Sequence, residues 1–251
     1  IALLVGLIMS GWLPAMVIGQ DASAIAATAS DEVKWEPCDD VPDAECAFIE
    51  APIDPAQPDG AQLSLRIARL PALKRLEDYD FTFPTKIPKS KLLRLFDCQF
   101  VDAFGCAVLI GGTGVGKTHL LTALGYAASG KGISVRFTRV IDMINVLTTA
   151  QQNGMLERKL KEYVRPQLLL LDELGYLPID KRGADLMFQV VAARYETGSI
   201  VISTNRVFKQ WGQIFDVDNT LATAMIDRLM HHGEAVLIEG ESYRTKDGFE
   251  E

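Results

Sequence analysis

Eight residues constrain this chain more than any others: Gly111, Gly112, Thr113, Gly114, Val115, Gly116, Lys117 and Thr118 spell G-x-x-x-x-G-K-T. They follow an apolar run at 107–110 that reads as a buried strand, and they precede a stretch that fits a helix. A strand that breaks into such a loop and resumes as a helix is the P-loop arrangement. Glycines let backbone N–H groups close around phosphate oxygens, because they reach backbone angles that a side chain forbids. Lys117 is placed to reach the outer phosphates. The Thr118 hydroxyl is suited to ligate Mg²⁺ at the positive end of the helix, with His119 next on the rim of the cradle. The motif in these flanks implies a bound nucleoside triphosphate.

Roughly fifty residues downstream, an apolar run at 168–171 ends in Asp172 and Glu173. A buried strand ending in two carboxylates can set the first beside the P-loop threonine to hold Mg²⁺. The second can polarise an attacking water as general base. The next β-branched strand, at 199–204, ends at Asn205, where a polar tip could hydrogen-bond the γ-phosphate or that water. Residues 220–229 read as a short helix carrying Arg228, which either pairs within its own domain or serves a neighbouring subunit as an arginine finger. His231 and His232 follow with no third ligand nearby in sequence, which reads as surface or packing. Further elements are expected as a helix at 89–96, a strand at 134–138, a helical stretch at 141–161 broken at Asn153-Gly154, a helix at 181–196 and a last strand at 235–238.

Charge divides the chain. Residues 1–68 carry Lys34 and Arg66 against eleven acidic residues, while residues 69–251 carry 23 basic and 22 acidic ones, so the overall −8 says nothing against a nucleic-acid partner for the second part. Residues 1–30 are apolar and then rich in small residues, in the manner of a secretory signal peptide without its basic start, so the reading frame is expected to begin further upstream. Cys38 and Cys46 would form a disulfide only in an oxidising compartment, and neither they nor Cys98 and Cys106 have C-x-x-C spacing. The strings WEPC, AECAFIEAPID and DGAQLSLRIARLPA in residues 31–70 resemble the leader and first strands of secreted α/β-hydrolases of the tripeptidyl-aminopeptidase type. No G-x-S-x-G elbow follows, so a serine hydrolase is excluded.

With the pieces in order, residues 69–246 resemble the IstB-like ATPases, the transposition helpers of insertion sequences and relatives of the DnaC helicase loaders. The residues that carry it are GGTGVGKTHL, LLLLDELGYLPID, ISTN with WGQIF after it, DRLMHH and EGESYR. The resemblance implies an α/β fold: a P-loop NTPase of the AAA+ type, an αβα sandwich on a mostly parallel sheet. It implies ATP with Mg²⁺, and a homo-oligomer on double-stranded DNA with a cognate transposase. It matches Lys117 and Thr118 to Walker A, Asp172 and Glu173 to Walker B, Asn205 to sensor 1 and Arg228 to the finger. It keeps Arg206 and Arg244 polar without giving either a role. The expected organisation is a signal-peptide-like segment at 1–30, a hydrolase-like and poorly structured fragment at 31–70, and the ATPase at 71–251. That is a chimeric chain with the family's charged N-terminal region replaced. The ATPase is expected in the cytoplasm with no stable membrane partner, and secretion is the alternative if the leader operates. A helicase loader is the nearest rival and would need a helicase-binding N-terminal helix. A small nucleotide kinase is disfavoured by the Asp172-Glu173 pair and Asn205.

Overall fold

A computed structural model describes residues 74–216 and 218–243, together with three earlier strands, β1 (Trp35–Pro37), β2 (Glu45–Pro52) and β3 (Gln62–Ala68). The signal-peptide-like segment, the side chains of Cys38 and Cys46, and Arg244 lie outside the described residues. From residue 89 onward strands and helices alternate: α1 (Lys89–Phe96), α2 (Gln99–Asp102), β4 (Cys106–Gly111), α3 (Lys117–Gly130), β5 (Val135–Arg139), α4 (Val140–Gln152), α5 (Leu156–Val164), β6 (Leu168–Leu174), α6 (Lys181–Arg194), β7 (Ser199–Thr204), α7 (Trp211–Ile214), α8 (Asn219–His231) and β8 (Gly233–Ile238).

The sheet runs β1-β2-β3-β5-β6-β7-β4-β8, and the five strands from β5 to β8 in that order are all parallel. β1 to β3 form an antiparallel meander that meets the edge of β5 at Ala68 and Arg136. The leucine run of β6 shows why the sheet must lie between two helical layers. Leu168 and Leu170 pack with α1 and α3, while Leu169 and Leu171 pack with α4, α6 and α8. All four are fully buried, so a continuous apolar strand, which would be insoluble in a one-sided sheet, is the correct sequence for a central strand covered on both faces.

The expected elements are present with their ends moved by local chemistry. The long helical stretch divides at Gly154, whose φ of +69° turns the chain between α4 and α5. The helix expected to reach residue 196 stops at Arg194, and Glu196 takes a left-handed φ of +57°. The stop follows from what Arg194 does. Only 1% exposed, its guanidinium donates to the carbonyls of Tyr163, Val164, Pro166, Gln167 and Ser199 at 2.7–2.9 Å. The first two belong to the C-terminal end of α5, where helix carbonyls have no intrahelical partner and the dipole is negative. Burial lowers the Arg194 pKa to about 10, which still leaves it charged at neutral pH. One cation thus ties the end of α5 to the starts of β6 and β7, the two strands that carry the acidic and polar tips. Arg194→Met should leave several of these carbonyls unpaired and cost about 3 kcal/mol or more, measured by urea unfolding, and Arg194→Lys should recover little of it because an ammonium cannot serve five acceptors.

Candidate nucleotide-binding and hydrolysis site

The loop between β4 and α3 owes its shape to two left-handed glycines, Gly114 at φ +81° and Gly116 at φ +87°. Space forbids a Cβ at either position as firmly as torsion does. At Gly114 it would fall on the Ser242 side chain, and at Gly116 it would sit 2.5 Å from the Tyr79 ring. α3 starts with no side-chain cap and no acid in its first turn, so its leading N–H groups are open to an anion from outside the chain. Lys117 is 4% exposed and folds over the loop, donating to the carbonyls of Gly111 at 2.9 Å and Gly112 at 2.6 Å. The Thr118 side chain is exposed at the helix start. His119 points elsewhere: its Nε2 lies 2.9 Å from the Arg75 carbonyl and its ring packs edge-on to Tyr79, so only its backbone remains for the cradle.

Two segments outside the motif hold the loop. Tyr79 is buried and donates its hydroxyl to the Val115 carbonyl at 2.9 Å. Burial pushes its pKa up to about 12, so it stays a donor. From the other end of the chain, the Tyr243 N–H donates to the Gly114 carbonyl at 3.0 Å, and the Tyr243 ring packs against Phe83.

The acidic tip of β6 is built by β7. In a regular strand Asp172 and Glu173 would point to opposite faces. Here the register with β7 shifts between Leu171 and Leu174, and Glu173 is held at φ +64°, a left-handed conformation rare for a residue with a Cβ. The irregularity is fastened by two hydroxyls. Ser203 Oγ donates to Asp172 Oδ1 in a short hydrogen bond and accepts the Glu173 N–H at 3.0 Å. Thr204 Oγ1 donates to the Leu174 carbonyl at 2.8 Å and accepts the Arg206 N–H. Asp172 is 2% exposed, and Arg139, its register neighbour on β5, places its guanidinium on Asp142 instead, at 2.7 and 3.1 Å. Ser203 and Thr204 were legible only as part of an apolar strand. Their signal was two hydroxyls in succession just before Asn205.

The pairing of Thr204 with Ile110 sets Asn205 beside Gly111, the first glycine of the loop. Its Oδ1 is buried and meets no donor from the protein. An unsatisfied buried acceptor beside the loop, an exposed threonine hydroxyl and a buried carboxylate form an oxygen-rich set that fits a hydrated Mg²⁺ and a nucleophilic water. The structure therefore brings the loop, Asp172, Glu173 and Asn205 to one edge of the sheet, at the C-terminal ends of β4, β6 and β7, where ligands bind in open α/β sheets. Arg228 is not among them. Its Nη1 donates to the Ala224 carbonyl at 2.9 Å, its guanidinium lies 4.9 Å from the Phe188 ring, and it lines a cavity with Cys106 and Ile200, at the opposite, N-terminal ends of β4 and β7.

Residues 59–250 match the IstB-like ATP binding proteins. The chain belongs to that family. It is 42% identical over 188 residues to the ATP-binding protein of insertion sequence IS21 from Pseudomonas aeruginosa, covering 75% of this chain and 71% of the relative. It is 37% identical over 200 residues to that of IS5376 from Geobacillus stearothermophilus, covering 80% and 79%. Among solved structures it resembles the DnaC helicase loader, with a TM-score of 0.55 at 22% identity over 66% of this chain and 96% of the other. The replication initiator DnaA bound to AMPPCP and single-stranded DNA gives 0.52 at 22% identity, over 61% and 45%. These two likenesses show the fold, the αβα P-loop arrangement of the AAA+ class. The IstB-like match opens at residue 59, inside the segment compared with the hydrolases, so the last part of that segment is accounted for by the ATP-binding family. This IstB-like chain binds ATP and is an ATPase of the P-loop type. Among the described residues no helix is long and apolar enough to cross a membrane.

Ser203→Ala should leave the fold nearly intact, because it deletes one hydroxyl at the sheet edge, but release both Asp172 and the Glu173 backbone. ATP turnover by that variant is expected to fall about 10- to 100-fold, the usual cost of losing a group that orients a metal ligand, with a much smaller change in melting temperature.

Proposed function

We propose that this IstB-like chain is the ATP-hydrolysing helper of a DNA transposition reaction, acting with a transposase on double-stranded DNA as a cytoplasmic homo-oligomer. The observation that carries the hydrolytic part is the fastened Asp172-Glu173 irregularity at the same sheet edge as the uncapped start of α3. The partners are supported by the relatives, which are ATP-binding proteins of insertion sequences.

In the proposed chemistry, Lys117 exchanges the Gly111 and Gly112 carbonyls for β- and γ-phosphate oxygens, while loop and helix N–H groups hold the rest of the triphosphate. Thr118 and Asp172 would hold Mg²⁺, which supplies charge neutralisation at the phosphates when bound. Glu173 draws a proton from water as its oxygen attacks the γ-phosphorus and the bond to the β–γ bridging oxygen breaks, giving ADP and phosphate. Asn205 orients that water or the γ-phosphate. Arg228, at the far ends of the strands from its own loop, serves the site of a neighbouring subunit. The division of the chain belongs to the same reading: residues 71–251 form the ATPase.

Lys117→Ala should abolish ATP binding, whereas Glu173→Gln should bind ATP and fail to hydrolyse it, read by nucleotide titration and phosphate release. Arg228→Ala should lower DNA-stimulated turnover by about 10³-fold or more. Mixing it with Glu173→Gln should restore part of the activity, since each Arg228→Ala site then meets an intact finger. Absence of rescue would place Arg228 within its own domain. DNA affinity is expected to fall steeply with salt, because phosphate contacts dominate binding of this kind.

A further inference from the structure

We propose that Glu196, His231 and His232 form a binding site for one divalent transition-metal ion of the zinc type, where the C-terminal ends of α6 and α8 meet. The donor atoms already converge. Glu196 Oε1 lies 4.0 Å from His231 Nδ1 and 3.8 Å from His232 Nε2, and the three ligand atoms fall within 4.8 Å of one another. Ligand atoms on a tetrahedral zinc ion with bonds near 2.1 Å stand about 3.4 Å apart, so the groups need to close by well under the length of one bond.

Consecutive histidines reach one point because the backbone changes between them. His231 is the last residue of α8, and His232 leaves the helix at φ −119°, which brings the two rings to 4.1 Å between centroids. Glu196 is aimed by its left-handed backbone, just after Arg194 ends α6. Both helices present their negative ends here, which favours a cation. The Tyr195 hydroxyl lies 2.8 Å from His231 Nδ1 and either orients that ring or yields its place when an ion enters. All three side chains are about half exposed, which leaves an entry path and room for a water as fourth ligand. Two imidazoles and one carboxylate select zinc-like ions over Mg²⁺, which takes oxygen donors, so this site is chemically separate from the one at Thr118 and Asp172.

An ion here would link the turn after α6 to the end of α8, close to Arg228, which lines the same cavity as Glu196 and His232. An effect on turnover through Arg228 rests on the proposed role of that arginine. Binding of the ion does not.

The test is a titration of the full, nucleotide-free chain with Co²⁺, followed by visible absorption, with Zn²⁺ as competitor and excess Mg²⁺ present throughout. One equivalent should give the strong visible bands of a near-tetrahedral ion without a thiolate-to-cobalt charge-transfer band, and Zn²⁺ should remove them. Glu196→Gln, which keeps side-chain size, and His232→Asn, which shortens an exposed side chain, should each weaken binding by more than the roughly tenfold that even an outer partner of a metal ligand costs. Their melting temperatures without metal should match the parent. Cys106→Ser should bind as the parent does, and Lys117→Ala should too, so a failed ATP assignment and a failed metal assignment are distinguishable. Absence of the bands, bands unchanged in both Glu196→Gln and His232→Asn, or bands lost in Cys106→Ser would overturn the proposal.

Discussion

The Ser203 hydroxyl is the contact on which the acidic edge of the sheet depends. It donates to the Asp172 carboxylate and accepts the Glu173 N–H, and so holds in place the register irregularity between the parallel strands β6 and β7. A strand alternates its side chains by default, and two adjacent carboxylates can serve one site only if that alternation is broken. The break leaves a non-glycine residue in the left-handed region, a conformation that costs on the order of 1–3 kcal/mol and persists only where its surroundings over-determine it. Ser203 and Thr204, from the neighbouring strand, provide that over-determination. Strain at Glu173 and order in β7 are therefore two sides of one arrangement.

The same dependence runs backwards along the strands. β6 and β7 can present their tips in register only if their starts are fixed, and both starts are fixed by Arg194 through the Gln167 and Ser199 carbonyls. Fully buried leucines between the two ends transmit that register, because a strand packed on both faces cannot slide without displacing side chains in both layers. The opposite side of the site is held by different means. Tyr79 and Tyr243, from before and after the five parallel strands, each bond one backbone group of the loop, so the loop is braced by segments far apart in sequence.

What the sequence shows and what it hides divide along this line of near and distant contacts. The loop at 111–118, the run into Asp172 and Glu173, and the tip at Asn205 are legible because each is a local pattern whose chemistry is stated by residue type and spacing. Most element boundaries were legible to within a few residues for the same reason. Ser203, Thr204 and Arg194 were not singled out, since each acts through a partner on another element and its own neighbours in sequence are ordinary. Glu196 is the sharpest case. His231 and His232 lacked a third ligand within reach along the chain, and the fold supplies one from the end of α6 because Arg194 stops that helix two residues early.

The loop at 111–118, Asp172 and Asn205 lie at the C-terminal ends of β4, β6 and β7, while Arg228, Glu196 and the two histidines lie at the N-terminal ends. A side chain on the second edge cannot reach phosphates on the first within one subunit, since strands of six or seven residues separate them by about 20 Å. Chemistry at that edge has to act on another molecule or through the strands themselves. Arg194 stands between these options: it lines the same cavity as Glu196, Arg228 and His232, and it anchors the two strands whose far tips hold Asp172 and Ser203. A change at the Arg228 edge would therefore be felt at the residue that sets strand register, and that gives the fold a physical route from one end of the sheet to the other.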